Sequence, residues 1–168
     1  HIPGFYVDAV VIDPEQSQDE NNPGKYRDGV DGLRNAAIPE LPKIPLDDEK
    51  VMGRRACMEL KPGQIINTGA GPGAFVPGIA LQEGIQQLNT FTIEHGNWGG
   101  ITLGRGRAMF NYNWQPSYDD VFDFYSGGGL DITFLGIGQI DKDGNVNLDY
   151  FNDILVGVGG ALDISFNA

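Results

Sequence analysis

The sequence has 168 residues, of which 40% are hydrophobic and 10% aromatic, and 23 acidic residues against 11 basic ones give it a formal net charge of -12. These values predict a globular domain with a sizeable core and exclude a disordered chain. Nucleic acid and anionic membrane surfaces are disfavoured as partners, because both carry the same sign of charge as the protein.

The first 46 residues show little regular pattern beyond their opening. The run FYVDAVVID at 5–13 is rich in β-branched and aromatic residues and predicts a short strand. Residues 14–46 are rich in proline, glycine and charge and have no hydrophobic period. That composition predicts a linker.

A helix is predicted next, in the run DDEKVMGRRACMELKPG. Asp47 is suited to the N-cap position, and the helix is expected to stop at Pro62 and Gly63. Helical spacing indicates which side chains face the core. These are Val51, Met52, Ala56 and Leu60.

The single cysteine, Cys57, lies in this predicted helix. One cysteine cannot form an internal disulfide, and its apolar, periodic surroundings predict a buried and unreactive thiol. No apolar run approaches the ~18–20 residues that cross a membrane. We therefore expect a cytoplasmic protein with no membrane partner.

A strand, a glycine loop and a second helix are predicted in succession. QIINTG at 64–69 predicts the strand, GAGPG at 69–73 the loop, and 74–85 the helix, with Pro77 near its first turn. Backbone N–H groups of such a loop can hold an anion. The loop lacks the Gly-Lys-Ser/Thr of a P-loop and the third glycine of the dinucleotide fingerprint. It is therefore either a simple turn or a general anion-binding loop.

The second half of the sequence alternates strands with glycine-rich turns. TFTIEH at 90–95 predicts a strand, GNWGG at 96–100 a turn, and 101–117 an irregular segment. SYDDVFDFY predicts a short helix, which three glycines end. A strand run follows at 130–141, then a hairpin at DKDGNVNL, and a last glycine turn at 157–160.

This order of elements predicts an α/β fold with a mainly parallel sheet flanked by helices, plus a hairpin. Ligands of such sheets bind at the carboxyl ends of the strands. The three glycine turns, at 69–73, 96–100 and 157–160, are therefore expected to converge on one edge of the sheet.

Metal binding is not indicated. The segment 141–152 begins like a calcium loop, but Val146 stands where that loop needs glycine and Asn152 where it needs glutamate. The only histidines, His1 and His95, have no metal-ligand spacing. A G-x-S-x-G nucleophile elbow is also missing from the sequence.

Glu94 ends an apolar, β-branched run and is followed by glycines that remove side-chain bulk. A glutamate carboxylate is ionised at neutral pH and can act as a nucleophile without a general base. On a strand His95 would point to the opposite face, which argues against a His–Glu pair. Glu94 is thus either a solvated residue at a strand end or a nucleophile approached by a large substrate. Trp98 is either a wall of that site or part of the core, and Arg105 and Arg107 are the nearest approach to a basic patch.

Four segments of the sequence form a pattern: RRACMELKPGQIINTGAGPG, FTIEHGNWGG, FDFYSGGGLDITFLGIGQIDKDGNVNLDYF and GVGGALDIS. In order and spacing they resemble the C-terminal half of the class I coenzyme A transferases, with the propionate/acetate branch as the nearest. The resemblance implies the NagB/RpiA-like C-terminal domain of that family. It also implies that residues 1–13 end a preceding N-terminal domain, that 14–46 form an inter-domain linker, and that 47–168 form a truncated catalytic domain.

The resemblance further implies a ping-pong transfer of coenzyme A between short-chain acyl-CoAs and short-chain carboxylic acids. Glu94 matches the family's catalytic glutamate, which passes through an acyl-glutamyl anhydride to a glutamyl-CoA thioester. The backbone N–H groups of Gly159 and Gly160 match the element that stabilises the oxyanion. The family's CoA-contacting loop corresponds to Gly69, Ala70, Gly71, Pro72 and Gly73. In this sequence the proline of that loop stands one place early.

Coenzyme A would accordingly be a co-substrate, with no permanently bound cofactor and no metal. The family builds its cleft between two domains, so we expect a missing N-terminal domain or companion chain, and assembly into a homo-oligomer. Two alternatives remain at this point. One is an acyl-CoA hydrolase on the same fold, in which water intercepts the glutamyl intermediate. The other is a non-catalytic α/β binding module in which Glu94 is structural.

Overall fold

The computed structural model describes residues 4–12, 35, 37, 43–103 and 109–168. Most of the predicted linker, 14–46, lies outside these residues, as do His1, Arg105 and Arg107. The strand predicted at 5–13 is wrong for its described part. Gly4–Tyr6 forms a 3-10 turn, and 7–12 are exposed and have no strand pairing. A β-prone run becomes a strand only against a partner, and this one pairs with no described strand.

A three-stranded parallel sheet forms the centre of the fold. It consists of β1 (Ile65–Thr68), β2 (Thr90–Thr92) and β3 (Ile132–Phe134), in the order β2-β1-β3. The predicted parallel sheet flanked by helices is confirmed. The strands predicted at 90–95 and 130–141 are too long, because the chain turns away after Thr92 and the sheet pairing ends at Phe134.

Four α-helices accompany the sheet in the described part of the chain. They are α1 (Asp48–Cys57), α2 (Val76–Gln82), α3 (Tyr118–Ser126) and α4 (Ala161–Phe166). Short 3-10 turns, Pro72–Phe75 and Gln86–Leu88, flank α2. None of the described helices is both long and apolar enough to cross a bilayer.

The start of α1 was predicted correctly, and its buried face only in part, since Ala56 and Leu60 do pack against the core. The Asp47 side chain accepts a hydrogen bond from the Lys50 N–H at 2.9 Å, as an N-cap does. Val51 and Met52, predicted to face the core, are exposed by 58% and 49%. Gly53 is buried instead, because its missing side chain lets α1 lie directly against Ile79 of α2.

The core has one part on each face of the sheet. One cluster joins β1 and β2 to α1 and α2, and it includes Ile66, Ile79 and Phe91. The other joins α3 and α4, with Val121, Tyr125, Leu130 and Ile164 at its centre. Alternation along β1 sends Ile66 to the first cluster and its neighbours to the second. Helices therefore cover both faces of the sheet.

Two hairpins follow the sheet. In the predicted one, β4 (Gln139–Ile140) pairs with β5 (Val146–Asn147). Across its turn Asp141 Oδ1 accepts the N–H groups of Asp143 and Asn145, each at 2.9 Å. A second hairpin, β6 (Tyr150–Phe151) with β7 (Ile154–Leu155), was not predicted.

Candidate active site

A cavity of about 280 Å³ lies at the carboxyl ends of the three parallel strands. Its lining comes from the segments that follow β1, β2 and β3 and from the turn before α4. It includes Gly69, Ala70, Glu94, His95, Gly159 and Gly160. This is the edge at which parallel sheets bind ligands. Two of the three glycine turns expected there, 69–73 and 157–160, do meet.

Glu94 is half-buried in the turn that follows β2. Its carboxylate lies against the backbone of Gly160, so closely that a Cβ on Gly160 would overlap Glu94 Oε2. His95 lines the same cavity. The expectation that His95 points to the opposite face loses its basis, because the strand ends at Thr92 and the alternation of a strand no longer applies.

The turn at 157–160 presents bare backbone to this carboxylate. Gly159 has φ +55, a left-handed conformation that favours glycine. Gly160 has φ -79, which any residue can adopt, so a larger residue is excluded here only because its Cβ would overlap neighbouring atoms. Within the described residues, no backbone carbonyl accepts the N–H of Gly159 or Gly160. Both residues line the cavity.

The loop at 69–73 divides into two parts. Gly69 and Ala70 line the cavity, whereas Gly71, Pro72 and Gly73 do not. Gly69 N–H donates to the Phe134 carbonyl at 2.9 Å, and a Cβ on Gly73 would overlap the same carbonyl oxygen. Both ends of the loop, Gly69 and Gly73, are thus held against β3.

The glycines that follow Glu94 do not face the cavity. A Cβ on Gly96 would lie 2.8 Å from the Pro116 carbonyl oxygen, and one on Gly100 would lie 2.6 Å from that of Phe110. The interpretation that these glycines clear space for a substrate is therefore wrong. They let the segment 109–116 pack closely behind Glu94, which fixes the turn that carries it.

A buried polar network lies beneath the site and joins all three strands to α3. Tyr125 Oη is 3.0 Å from Asn67 Nδ2 and 2.8 Å from Thr92 Oγ1. Thr92 Oγ1 donates its one hydrogen to the Ile66 carbonyl at 3.0 Å, so Tyr125 must donate to Thr92 and accept from Asn67. Thr133 Oγ1 donates to Asn67 Oδ1 at 3.1 Å.

The hydrogen-bond network holds the strand ends from which the loops of the cavity start. Thr92 stands two residues before Glu94, and Asn67 stands two before Gly69 and itself lines the cavity. The network thus fixes the strand ends from which both loops start. Burial raises the pKa of Tyr125, and the charge of Glu94 raises it further, against the lowering effect of its hydrogen bonds. Tyr125 is therefore a neutral hydrogen-bonding group at physiological pH.

Two more aromatic rings of α3 stand near Glu94. The Phe122 ring packs on Gly160 beside the Glu94 carboxylate, with its Cζ 2.7 Å from the position of a Cβ there. Tyr118 stacks on Phe122 at 4.9 Å between ring centroids. The pKa of Tyr118 is raised by burial and also by the charge of Glu94, which therefore lies within electrostatic reach.

Trp98 and Cys57 belong to the core. Trp98 packs edge-on against Phe124 at 4.8 Å and Trp114 at 5.4 Å, and it does not line the cavity. Burial, with a contribution from the charge of Glu83, raises the pKa of the Cys57 thiol to about 11, so the predicted unreactive thiol is confirmed. Among the described residues, no group of three or more histidine, cysteine, aspartate or glutamate side chains is placed to hold a metal.

Sequence reasoning missed the supporting residues of the site. Asn67 carried the one usable signal, since it is a polar residue inside the apolar strand QIINTG, directly before a glycine loop. Thr92, Phe122 and Tyr125 carried none, because threonine in a strand and aromatics in an amphipathic helix are ordinary core residues.

The chain is similar over nearly its whole length to curated coenzyme A transferases. It is 35% identical over 172 residues to a caffeate CoA-transferase of Acetobacterium woodii. It is 37% identical over 166 residues to the acetate CoA-transferase YdiF of Escherichia coli O157:H7. Each match covers 98% of this chain. The chain spans about a third of the length of these relatives, 33% and 31%.

Solved structures give the same result for the fold. The apoenzyme of the acyl-CoA transferase YdiF from Escherichia coli O157:H7 matches 99% of this chain with a TM-score of 0.80 and 35% identity, over 30% of its own chain. A thioester complex of that protein with CoA matches with a TM-score of 0.77 and 34% identity, over 32% of its chain. No protein-family model matches the sequence. The predicted resemblance and the α/β fold are confirmed.

Proposed function

We propose, from the premise that this chain shares the sequence and fold of the coenzyme A transferases, that it is the catalytic C-terminal segment of an acyl-CoA:carboxylate CoA-transferase. Residues 47–168 form the catalytic part in this proposal, residues 14–46 the linker, and residues 1–13 the end of a preceding domain. One observation carries the proposal. A half-buried carboxylate, Glu94, stands in a cavity at the carboxyl ends of the strands, against bare backbone at Gly160.

The chemistry of the proposal proceeds through Glu94. A carboxylate oxygen of Glu94 attacks the thioester carbonyl of an acyl-CoA, so a C–O bond forms and the C–S bond breaks. The products are an acyl-glutamyl anhydride and the CoA thiolate. The thiolate then attacks Glu94 Cδ, which expels the acyl group as a carboxylate and leaves a glutamyl-CoA thioester. A second carboxylic acid reverses these two steps and leaves as the new acyl-CoA.

Each attack places negative charge on a carbonyl oxygen, which needs hydrogen-bond donors already in position. The N–H groups of Gly159 and Gly160 suit this role, because no described backbone carbonyl accepts them and both residues line the cavity. In the proposal Gly69 and Ala70 contact coenzyme A from the opposite wall. Gly71, Pro72 and Gly73 complete that loop in the proposal, and Gly73 holds it against β3.

The substrates and assembly complete the proposal. We assign short-chain acyl-CoAs and short-chain carboxylic acids, with coenzyme A as co-substrate, in keeping with the small cavity and with a relative that is named for acetate. The chain spans about a third of its relatives, so an N-terminal domain or companion chain would close the other side of the cavity. Homo-oligomeric assembly in the cytoplasm belongs to the same proposal.

The test is to trap the intermediate on Glu94 in the full-length protein. After incubation with acetyl-CoA, borohydride should reduce the glutamyl-CoA thioester to an alcohol, and peptide mass mapping should place that change on Glu94. Glu94→Gln should lose roughly a thousandfold or more of propionate-dependent transfer, because the nucleophile is gone. Glu59→Gln is the matched control, since Glu59 is an exposed carboxylate paired with Arg55 away from the cavity.

The same assay separates the alternatives. Acetyl-CoA consumption that needs no acceptor acid would identify a hydrolase. An unmodified Glu94 peptide, together with near-normal activity of Glu94→Gln, would contradict the proposal and favour a binding module in which Glu94 is structural.

A further inference from the structure

Two side chains from different elements meet at Gly160. A Cβ at this position would overlap both Glu94 Oε2 and the Phe122 ring, whose Cζ and Cε1 lie 2.7 Å and 3.1 Å from it. The ring edge and the carboxylate oxygen therefore stand side by side over one glycine. The edge of an aromatic ring carries partial positive charge, so it tolerates a neighbouring carboxylate, but it offers water no hydrogen-bonding site.

Phe122 and Glu94 both lie against Gly160, but Phe122 is not among the residues that line the cavity, whereas Glu94 and Gly160 are. The Phe122 ring also packs on that of Tyr118, a residue that is 52% exposed. A row of neighbouring groups thus leads from the exposed Tyr118 through Phe122 to Gly160, where the Glu94 carboxylate lies.

Several contacts fix the Phe122 ring in place. It packs edge-on against the buried Tyr125 at 5.8 Å and lies against the core cluster of α3 and α4. The helix that carries it begins with a capping box, in which Ser117 and Asp120 satisfy each other's backbone N–H groups. A ring fixed in this way is suited to exclude water.

Water and the acceptor acid compete for one atom in the proposed reaction, Cδ of the glutamyl-CoA thioester. Attack by an acceptor carboxylate on Cδ forms a new anhydride and releases the CoA thiolate, which continues the transfer. Attack by water forms a C–O bond, breaks the C–S bond and gives the thiol one proton and solvent the other. That second outcome restores Glu94 and wastes the acyl-CoA. Exclusion of water therefore decides whether the site transfers or hydrolyses.

We propose that Phe122 is the water barrier behind Glu94 and thereby sets the preference for carboxylic acid over water as acceptor. This inference rests on the function proposed above. Phe122 is a specificity-determining residue in this account, since its ring lies at the same glycine as the group that carries the intermediate. Its loss opens a path from the solvent at Tyr118 to the thioester without removing Glu94, Gly159 or Gly160.

The test compares two rates in the same preparation of the full-length protein. One is acetyl-CoA loss without an acceptor, and the other is acetyl-CoA loss to propionate. The ratio of hydrolysis to transfer is expected to rise roughly tenfold or more in Phe122→Ala and to stay near wild type in Phe122→Leu, which keeps an apolar side chain in place. Phe124→Ala is the matched control. It removes a half-buried ring of the same helix that packs on Gly129 and Trp98 instead of Glu94.

The ratio is insensitive to partial unfolding, because both rates come from the same folded molecules. If Phe122→Ala yields too little folded protein, Phe122→Val is measured in its place, with an intermediate rise expected. An unchanged ratio in these variants, or an equal rise in Phe124→Ala, overturns the inference. A wild-type protein that traps no thioester on Glu94 would instead overturn the proposed function, so the two failures are distinguishable.

Discussion

The two glycine-rich turns at 96–100 and 157–160 look alike in sequence and differ in what they do. In the first, neighbouring atoms occupy the space of the missing side chains. Gly96 lies against the Pro116 carbonyl, Gly99 against the Asn113 side chain and Gly100 against the Phe110 carbonyl. In the second, Gly159 has no atom within 4 Å of a Cβ position, and Gly160 meets the Glu94 carboxylate.

This difference separates two uses of glycine near one site. The turn at 96–100 lets backbone pack on backbone, which holds the chain that carries Glu94. The turn at 157–160 leaves backbone donors uncovered beside the carboxylate. Substitutions in the first turn should therefore act on stability, and substitution of Gly160 in the second should act on the reaction.

The largest effect is expected from Gly160→Ala. Its backbone angle suits alanine, so the added methyl group acts only through space, where it meets Glu94 Oε2 and the Phe122 ring. The carboxylate must move by about the radius of a methyl group, and a misplacement of about 1 Å can cost roughly a hundredfold in rate. We expect at least that loss in steady-state transfer by the full-length protein, with a melting temperature near that of wild type.

The loss of activity in Gly160→Ala should come from the added methyl group and not from the loss of a flexible residue. Gly157→Ala is the control, since Gly157 lies in the same turn and has no atom within 4 Å of a Cβ position. It should lose some stability through its left-handed backbone and far less activity than Gly160→Ala. Equal losses of activity in the two variants would contradict the assignment of Gly160.

A smaller effect, on stability and not on the reaction, is expected from Gly100→Ala. A Cβ there meets the Phe110 carbonyl oxygen at 2.6 Å, and Met109 Cβ and Tyr112 Cα at 3.1 Å, none of which can move freely. Overpacking of this sort costs about 1–3 kcal/mol of unfolding free energy. Denaturant unfolding should show that loss, while transfer per folded molecule stays close to wild type. A variant with normal stability and low activity would place this turn in the site after all.

The elements were largely predictable because each rests on local rules. Asp47 caps a helix, Pro77 opens another, and Asp143-Gly144 makes a hairpin, and these patterns depend on neighbours in sequence. The parallel sheet follows from their order. Long-range packing could not be predicted from the sequence. Val51 of α1 was expected in the core and is exposed, and nothing in the sequence indicated that Gly53 would be buried, because the partner helix α2 approaches over this glycine.

The candidate site was predictable only in part, and for the same reason. The resemblance named Glu94, Gly159 and Gly160, and these three do come together. Tyr125 and Phe122 reach the site through tertiary contacts that no spacing in the sequence encodes. The filled glycines at 96–100 were assigned to the cavity, because a sequence does not record which atoms occupy the space of a missing side chain.

A glycine in the turn between β4 and β5, Gly144, has a third role, which is to allow the turn itself. The smallest effect is expected from a substitution in this turn. Gly144 has φ +86 and no atom within 4 Å of its Cβ position, so it serves the turn alone. Beside it, hydrogen bonds from the Asn145 side chain and backbone hold the pKa of Asp141 below its usual 3.8. A carboxyl whose pKa is lowered by folding stabilises the turn above pH 3.8. That contribution is lost as the pH falls through the lower folded-state pKa.

Asp141→Asn should therefore increase hydrogen exchange of the 139–147 peptide slightly at neutral pH, and the difference from wild type should vanish as the pH falls below 3.8. Transfer should be unchanged at every pH, since neither the hairpin nor Gly144 lines the cavity. Asp153→Asn, which weakens a single bond from Tyr150 in the next hairpin, is the control and should leave exchange of 139–147 unaltered. If Asp141→Asn lowered transfer, the hairpins would have to be counted with the 157–160 turn as part of the site, and the division between glycines that hold the fold and glycines that serve the reaction would fail.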